Sequence, residues 1–94
     1  MKSQNTSDSD AGFDVGLAQE TAFGVFYEDD LGRMTFVFEV SRRDLKRIYL
    51  NPHPSQDGRM VDTSDHTTVG RVNLAISRVK AYFERSGMSV QVDD

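Results

Sequence analysis

Cysteine and tryptophan are absent from this sequence, and proline occurs only twice. Without cysteine there is no disulfide and no cysteine-ligated zinc, so a reducing compartment is the natural setting. No apolar run approaches the roughly 20 residues of a membrane-spanning helix, and the first ten residues contain no signal-peptide core. We therefore predict a cytoplasmic protein with no membrane partner.

The composition is typical of one small globular domain, with 37% hydrophobic and 28% charged residues in a chain of 94. Residues 1–11 contain no large apolar side chain beyond Met1, so we predict a disordered tail followed by a single domain over residues 12–94. The formal charge is −4, which disfavours wholesale nucleic-acid binding. The charge is uneven, however, because residues 32–50 carry five bases against two acids. A local basic patch is therefore compatible with the acidic total.

Residues 64–87 predict one long amphipathic helix. Ser64 or Asp65 can cap its first turn, and Gly87 stands where a helix usually ends. At 3.6 residues per turn, one face is apolar and must be buried. That face comprises Val69, Val72, Ala75, Ile76, Val79 and Phe83, with Tyr82 at its edge. Arginines follow the border of this face at seven-residue intervals, at Arg71, Arg78 and Arg85. Their guanidiniums are predicted to stay in water while their aliphatic stems cover apolar surface.

Alternating apolar side chains predict the strands. Residues 22–28 and 34–40 predict an antiparallel hairpin turned at Gly32, and residues 88–92 predict a third strand. The alternation over residues 13–17 leaves an extra edge strand open.

Between the hairpin and the long helix, residues 41–50 have helical spacing after a Ser41 cap. They predict a short second helix, with a strand over residues 47–50 as the alternative. Residues 51–63 contain both prolines and predict a loop. The predicted fold class is α+β, with a small three-stranded, mainly antiparallel sheet in β-β-α-α-β order and the long helix packed on one face.

Imidazole and carboxylate side chains, which are ligands for zinc and manganese, gather near the start of the long helix. They are His53, Asp57, Asp62, Asp65 and His66. Their spacing matches no metal-binding motif, so we predict helix capping, no metal site and no cofactor. Ser64, Asp65 and His66 are consecutive, which is not how a catalytic relay is arranged. We predict that the chain is not an enzyme.

The densest charged cluster consists of Arg42, Arg43, Lys46 and Arg47. Such a patch can contact phosphates, and it supports a nucleic-acid-associated role as the alternative function. An ordinary solvated surface, with Asp44 as an internal partner, is the competing interpretation.

The long helix has a second face, made of Gly70, Leu74, Ser77 and Ala81. Small side chains let another helix approach, and a glycine inside a helix costs about 1 kcal/mol relative to alanine, so Gly70 calls for a packing reason. A plain solvent face with one leucine is the alternative. One core of about 75 ordered residues is rarely sufficient by itself. We therefore predict a protein-interaction module of unknown pathway that acts as a homodimer through this face, with another protein as a further or alternative partner. The back of the sheet at Phe26 and Val37 is the other candidate surface.

Overall fold

The structure is a computed structural model that describes residues 12–19 and 23–93. The predicted tail, residues 1–11, lies outside the described residues. The elements follow in this order: β1 (Asp14–Ala18), β2 (Gly24–Asp29), β3 (Gly32–Val40), β4 (Arg47–Leu50), β5 (Ser55–Gln56), β6 (Arg59–Met60), α1 (His66–Arg85) and β7 (Ser89–Val92).

The sheet has the main strand order β1-β2-β3-β4-β7. The first four strands are antiparallel neighbours, whereas β7 pairs with β4 in parallel because α1 carries the chain back along the sheet. Helix α1 therefore begins near the turn between β2 and β3 and ends near the loop between β3 and β4. Backbone contacts at the far end agree with this course, since Ser89 N donates to Lys46 O at 2.7 Å.

The predicted hairpin is confirmed in β2 and β3, which are joined by the two residues Asp30 and Leu31. Gly32 follows this turn with a φ of 123°, a conformation that side chains rarely adopt. A Cβ at Gly32 would also collide with the amide of Gln56. The positive φ therefore favours glycine at this position, and any larger residue would also displace the end of the Gln56 side chain.

On its other side β3 pairs first with β4 and then with β5, and a break separates these two strands. Phe38 pairs with Leu50 and Thr35 pairs with Ser55, so three steps along β3 correspond to five along the partner segment. The two extra residues form a bulge over residues 51–54 that contains both prolines, as expected where ladder hydrogen bonds are lost. Beyond this bulge β5 and β6 form a hairpin.

The helix is confirmed close to its predicted bounds, with Asp65 as its N-cap and Gly87 after its end at a φ of 84°. Its apolar stripe packs on the sheet as predicted, although Val69 remains 37% exposed. The core consists of Val15, Val25, Tyr27, Met34, Phe36, Phe38, Ile48, Leu50, Val72, Ala75, Val79 and Phe83.

The predicted three-stranded sheet with two helices is wrong, because the sheet contains seven strands and the described chain forms one helix. The predicted loop over residues 51–63 contains the β5–β6 hairpin, turned at Asp57 and Gly58 with φ values of 55° and 78°. The extra edge strand that the alternation over residues 13–17 allows is present as β1, which lies at one edge of the sheet.

The predicted second helix over residues 41–50 is wrong for a local reason. Ser41 Oγ accepts hydrogen bonds from the backbone of Arg43 and Asp44, and Asp44 Oδ1 accepts one from Lys46 N. These polar side chains close a tight loop instead of starting a helix. After the loop Ile48 and Leu50 are buried, which is the period of a strand.

Candidate interaction surface

Two arginines of α1 fasten the helix to the β1–β2 side of the sheet. Arg71 makes a two-pronged contact with Asp29 through Nε and Nη2, at 2.9 and 2.8 Å. Arg78 Nη1 donates to the hydroxyl of Tyr27 at 3.0 Å, and its guanidinium lies 3.8 Å from the centre of the Phe13 ring. The side chain of Arg71 is only 14% exposed, so the prediction that its guanidinium stays in water is wrong.

Towards the β4–β7 side of the sheet, helix α1 leaves part of the surface uncovered. A depression of about 370 Å³ lies between α1 and the bulge after β4, lined by Pro52, His53, Thr63, Val69, Val72, Asn73 and Ile76. A second depression continues towards β7 and shares Asn73 and Ile76 with the first. Ser77, Lys80, Glu84 and Val92 complete its lining. The two depressions adjoin at Asn73 and Ile76, and we call them together the α1–β7 groove.

The outer edge of β7 borders this groove. Among the described residues no strand pairs with that edge, because β7 ends the strand order and its partner β4 lies on the other side. Ser89 N and Asp93 N donate to β4 and its flank at 2.7 and 2.8 Å. Because backbone direction alternates along a strand, the N–H and C=O groups of Val90 and Val92 point outward.

Natural edge strands usually carry a charge, a proline or a bulge that discourages pairing with another chain. The sequence of β7 is Ser-Val-Gln-Val, which has neither a charged residue nor a proline. At the other edge of the sheet, β1 begins with the charged residue Asp14. Val90 and Val92 are half-buried and pack against the core from the side of the sheet that α1 covers. The open edge and the groove therefore form one surface that combines backbone hydrogen-bonding groups with apolar side chains.

The helix face predicted from the sequence is exposed along its whole length, at Gly70, Leu74, Ser77 and Ala81. Leu74 is 45% exposed, and a Cβ placed on Gly70 would have no described atom within 4 Å beyond its two chain neighbours and the backbone of its own helix. No packing contact within the described chain therefore requires a glycine at position 70. Ser77 lies on both this face and the groove, so the two surfaces are adjacent. The role of the helix face stays a prediction.

The back of the sheet offers less apolar surface than its sequence pattern indicates. Phe26 is 8% exposed, and the guanidinium of Arg33 lies 4.0 Å from its ring centre. Val37 is 53% exposed. A partner at this side would contact Val37 and polar neighbours rather than a phenylalanine.

The basic side chains are brought together at one end of the molecule. Arg42, Arg43, Lys46 and Arg47 are all exposed on the β3–β4 loop and the first residue of β4. Leu45, between them, is 72% exposed. The opposite end, around the β2–β3 turn and the start of α1, has an excess of acids, namely Glu28, Asp29, Asp30, Asp57, Asp62 and Asp65 against Arg33, Arg59 and Arg71. Positive charge therefore gathers near the start of β7 and negative charge at the far end of the sheet.

The acidic and histidine residues singled out in the sequence do not converge. Asp65 Oδ1 and Oδ2 accept hydrogen bonds from Thr68 N and Thr68 Oγ1, at 3.0 and 2.9 Å. These bonds lower the pKa of Asp65, the bond from Thr68 N most of all. Asp62 Oδ1 accepts from Ser64 N. Within the described residues no group of three or more such side chains could hold a metal ion. The roles that the geometry shows are capping roles.

Comparisons with protein-family models, curated proteins and solved structures give no match for this chain. Within the part of the chain that the structure describes, no helix is both long and apolar enough to cross a membrane.

Sequence reasoning found the helix face and the basic cluster but missed the edge of β7. Its residues were predicted as a strand, yet strand order depends on contacts between distant segments, which local periodicity does not encode. The absence of charge and proline in residues 89–92 was the signal that could have drawn attention to it.

Proposed function

We propose that this chain is a small protein-interaction module that acts as a homodimer, and that it binds through the edge of β7 and the α1–β7 groove. The observation that carries the proposal is the outward direction of the Val90 and Val92 backbone groups beside an open groove whose β7 end combines Ile76 and Val92 with polar side chains. A strand added to such an edge gains affinity from main-chain hydrogen bonds and specificity from side-chain contacts.

The size of the domain supports the same proposal. A single core in a chain this short rarely supplies more than roughly 3–5 kcal/mol of stability. With no cysteine the chain has no disulfide to add to this. Contact with another chain buries further apolar surface at the groove, where Val69 and Ile76 are incompletely covered.

Light scattering coupled to size exclusion tests the proposal. At high micromolar concentration we expect a mass twice the 10.6 kDa of one chain. Val92→Pro removes an outward N–H while leaving an apolar side chain, so this variant should be monomeric. Leu74→Glu changes the neighbouring helix face and should remain dimeric.

A wild-type mass of one chain would contradict the homodimer. A Leu74→Glu monomer together with a dimeric Val92→Pro protein would place the contact on the helix face predicted from the sequence.

A second candidate function is association with nucleic acid through the basic end. Arg42, Arg43, Lys46 and Arg47 all reach solvent from one loop whose backbone is fixed by Ser41 and Asp44. A fixed loop presents its charges with less loss of entropy on binding than a mobile one.

A further inference from the structure

We infer that two copies pair through β7 in an antiparallel, two-fold arrangement with Gln91 on the axis, so that the two sheets become one. This inference rests on the proposed homodimer and specifies its geometry. It follows from the direction of the β7 backbone groups, from the faces of the β7 side chains, and from the charges of Asp93 after β7 and Arg47 on the neighbouring β4.

The backbone fixes the register. In an antiparallel pair, residues whose groups point at the partner exchange two hydrogen bonds, and the residues between them do not. The backbone groups of Val90 and Val92 point outward. Val90 of each copy therefore pairs with Val92 of the other copy. Gln91 then lies opposite its own counterpart, as the non-bonded pair on the axis.

The neighbouring register, centred on Val90, is less favourable. It would pair Val92 with Met88 of the second copy, and Met88 N already donates to Phe83 O at 3.1 Å. By two-fold symmetry the loss occurs in both copies, so this register keeps four of six hydrogen bonds, no more than the four that the Gln91 register makes in full. Centring on Gln91 instead uses the whole of β7 and leaves the end of α1 undisturbed.

The side chains match in the same register. Directly opposed residues in a sheet lie on the same face, so Val90 and Val92 of both copies come together on the side that α1 covers. The two α1–β7 grooves then face each other across a floor of four valines. Ser89 and Gln91 lie on the solvent side, where β7 brings no like charges into opposition.

The charges also favour this orientation. Asp93 of one copy falls opposite Ser89 of the other, and Ser89 pairs with Arg47 inside its own copy. Asp93, Ser89 and Arg47 lie on one face of the joined sheet. Two strand spacings separate the backbones of Asp93 and Arg47, about 10 Å in all, a gap that an arginine and an aspartate side chain can span. The dimer thus gains two symmetric ion pairs between copies.

The separation of basic and acidic residues between the two ends of the sheet also favours the antiparallel orientation. An antiparallel partner directs its acidic end towards the end of the sheet where the basic loop of the first copy lies. A parallel partner would bring the two basic loops together, where they would repel each other. Charge complementarity therefore selects a second copy in the antiparallel orientation.

A cysteine-free chain allows a sharp test, because Gln91→Cys introduces its only thiol. Non-bonded antiparallel pairs have Cα atoms about 4.5 Å apart, within the range that a disulfide spans. Under mild oxidation we expect Gln91→Cys to form a covalent dimer on a non-reducing gel. Leu74→Cys on the helix face and Val37→Cys on the sheet back are matched controls that should cross-link at least tenfold more slowly.

The ion pair provides a second readout. Arg47→Glu should weaken the dimer about tenfold in Kd at low salt, and Asp93→Lys added to it should restore the affinity.

If the wild type is dimeric but Leu74→Cys cross-links faster than Gln91→Cys, this arrangement is overturned while the homodimer stands. If the charge exchange fails to restore affinity, the proposed orientation is also overturned. A monomeric wild type removes both the arrangement and the proposed function.

Discussion

The guanidinium of Arg71 and the carboxylate of Asp29, 42 residues apart in the chain, form a two-pronged ion pair at 2.8 and 2.9 Å. Both side chains are 14% exposed. The same guanidinium donates to Gln56 Oε1 and Gly32 O, and Gln56 Nε2 donates to Leu31 O. One side chain of α1 thus holds the β2–β3 turn and the β5–β6 hairpin in place.

Replacing Asp29 with asparagine should lower the free energy of unfolding by about 2 kcal/mol, because a shielded arginine loses its charged partner. The chain offers a matched control in the neighbouring pair of Glu28 and Arg33, which are 43% exposed. Glu28→Gln removes the same kind of charge from a solvated pair and should cost less than about 1 kcal/mol. Urea unfolding at one fixed protein concentration measures both. Equal losses would mean that the Arg71 contact contributes no more than a surface pair.

The same contact predicts a pH dependence. The hydrogen bond from Arg71 is the main reason why the pKa of Asp29 lies below its ordinary value. A depressed pKa stabilises the folded state above the unfolded value of about 3.9, and this contribution is lost as the pH falls through the folded pKa. The difference in stability between wild type and Asp29→Asn should therefore be constant above about pH 5 and shrink below about pH 4. A difference that persists unchanged into acid would show that the ionised carboxylate is not its source.

Local patterns predicted those parts of the fold that local interactions decide. The α1 stripe, the Asp65 cap and the positive φ of Gly32 beside the hairpin turn are set by neighbours in the chain, and all three are confirmed, although the turn itself is formed by residues 30 and 31. Residues 41–50 were misread because Leu45, Ile48 and Tyr49 match a helical spacing, whereas Leu45 is 72% exposed and contributes nothing to the core.

The proposed interaction surface could not be predicted from the sequence for a different reason. That β7 pairs with β4 in parallel and leaves one edge open depends on how the chain crosses the sheet, not on residues 89–92 themselves. The Asp57-Gly58 turn, in contrast, was readable, since this dipeptide is a strong signal for a two-residue hairpin. Its flanking strands contribute only two residues each, too short for any alternation to show.

A substitution at Gly70 tests whether the dimer forms through the β7 edge or through the helix face. Because a Cβ there would have no described atom within 4 Å beyond its two chain neighbours and the backbone of its own helix, Gly70→Ala should raise the free energy of unfolding by about 0.5–1 kcal/mol through helix propensity. The dimer mass in light scattering should be unchanged. Gly32→Ala is the contrasting change, and its positive φ and contact with Gln56 predict a loss of stability of at least about 1 kcal/mol. A Gly70→Ala protein that becomes monomeric would return the interface to the helix face.

The basic end gives a prediction about salt. Four phosphate contacts, from Arg42, Arg43, Lys46 and Arg47, would give a log–log salt slope of roughly −4. Affinity for a duplex oligonucleotide would then fall roughly a hundredfold between 50 and 200 mM salt. The net charge of −4 opposes binding as well, so we expect no measurable binding by fluorescence anisotropy at physiological salt.

At low salt, Arg43→Ala combined with Lys46→Ala should halve the slope of any weak binding, because two of the four contacts are removed. Arg59→Ala, an exposed base far from the loop on β6, is the control and should leave the slope unchanged. Micromolar binding that persists at physiological salt and is lost in the double variant would make nucleic-acid association the better account of this protein. Binding that the double variant leaves intact would show that the basic loop is not the site.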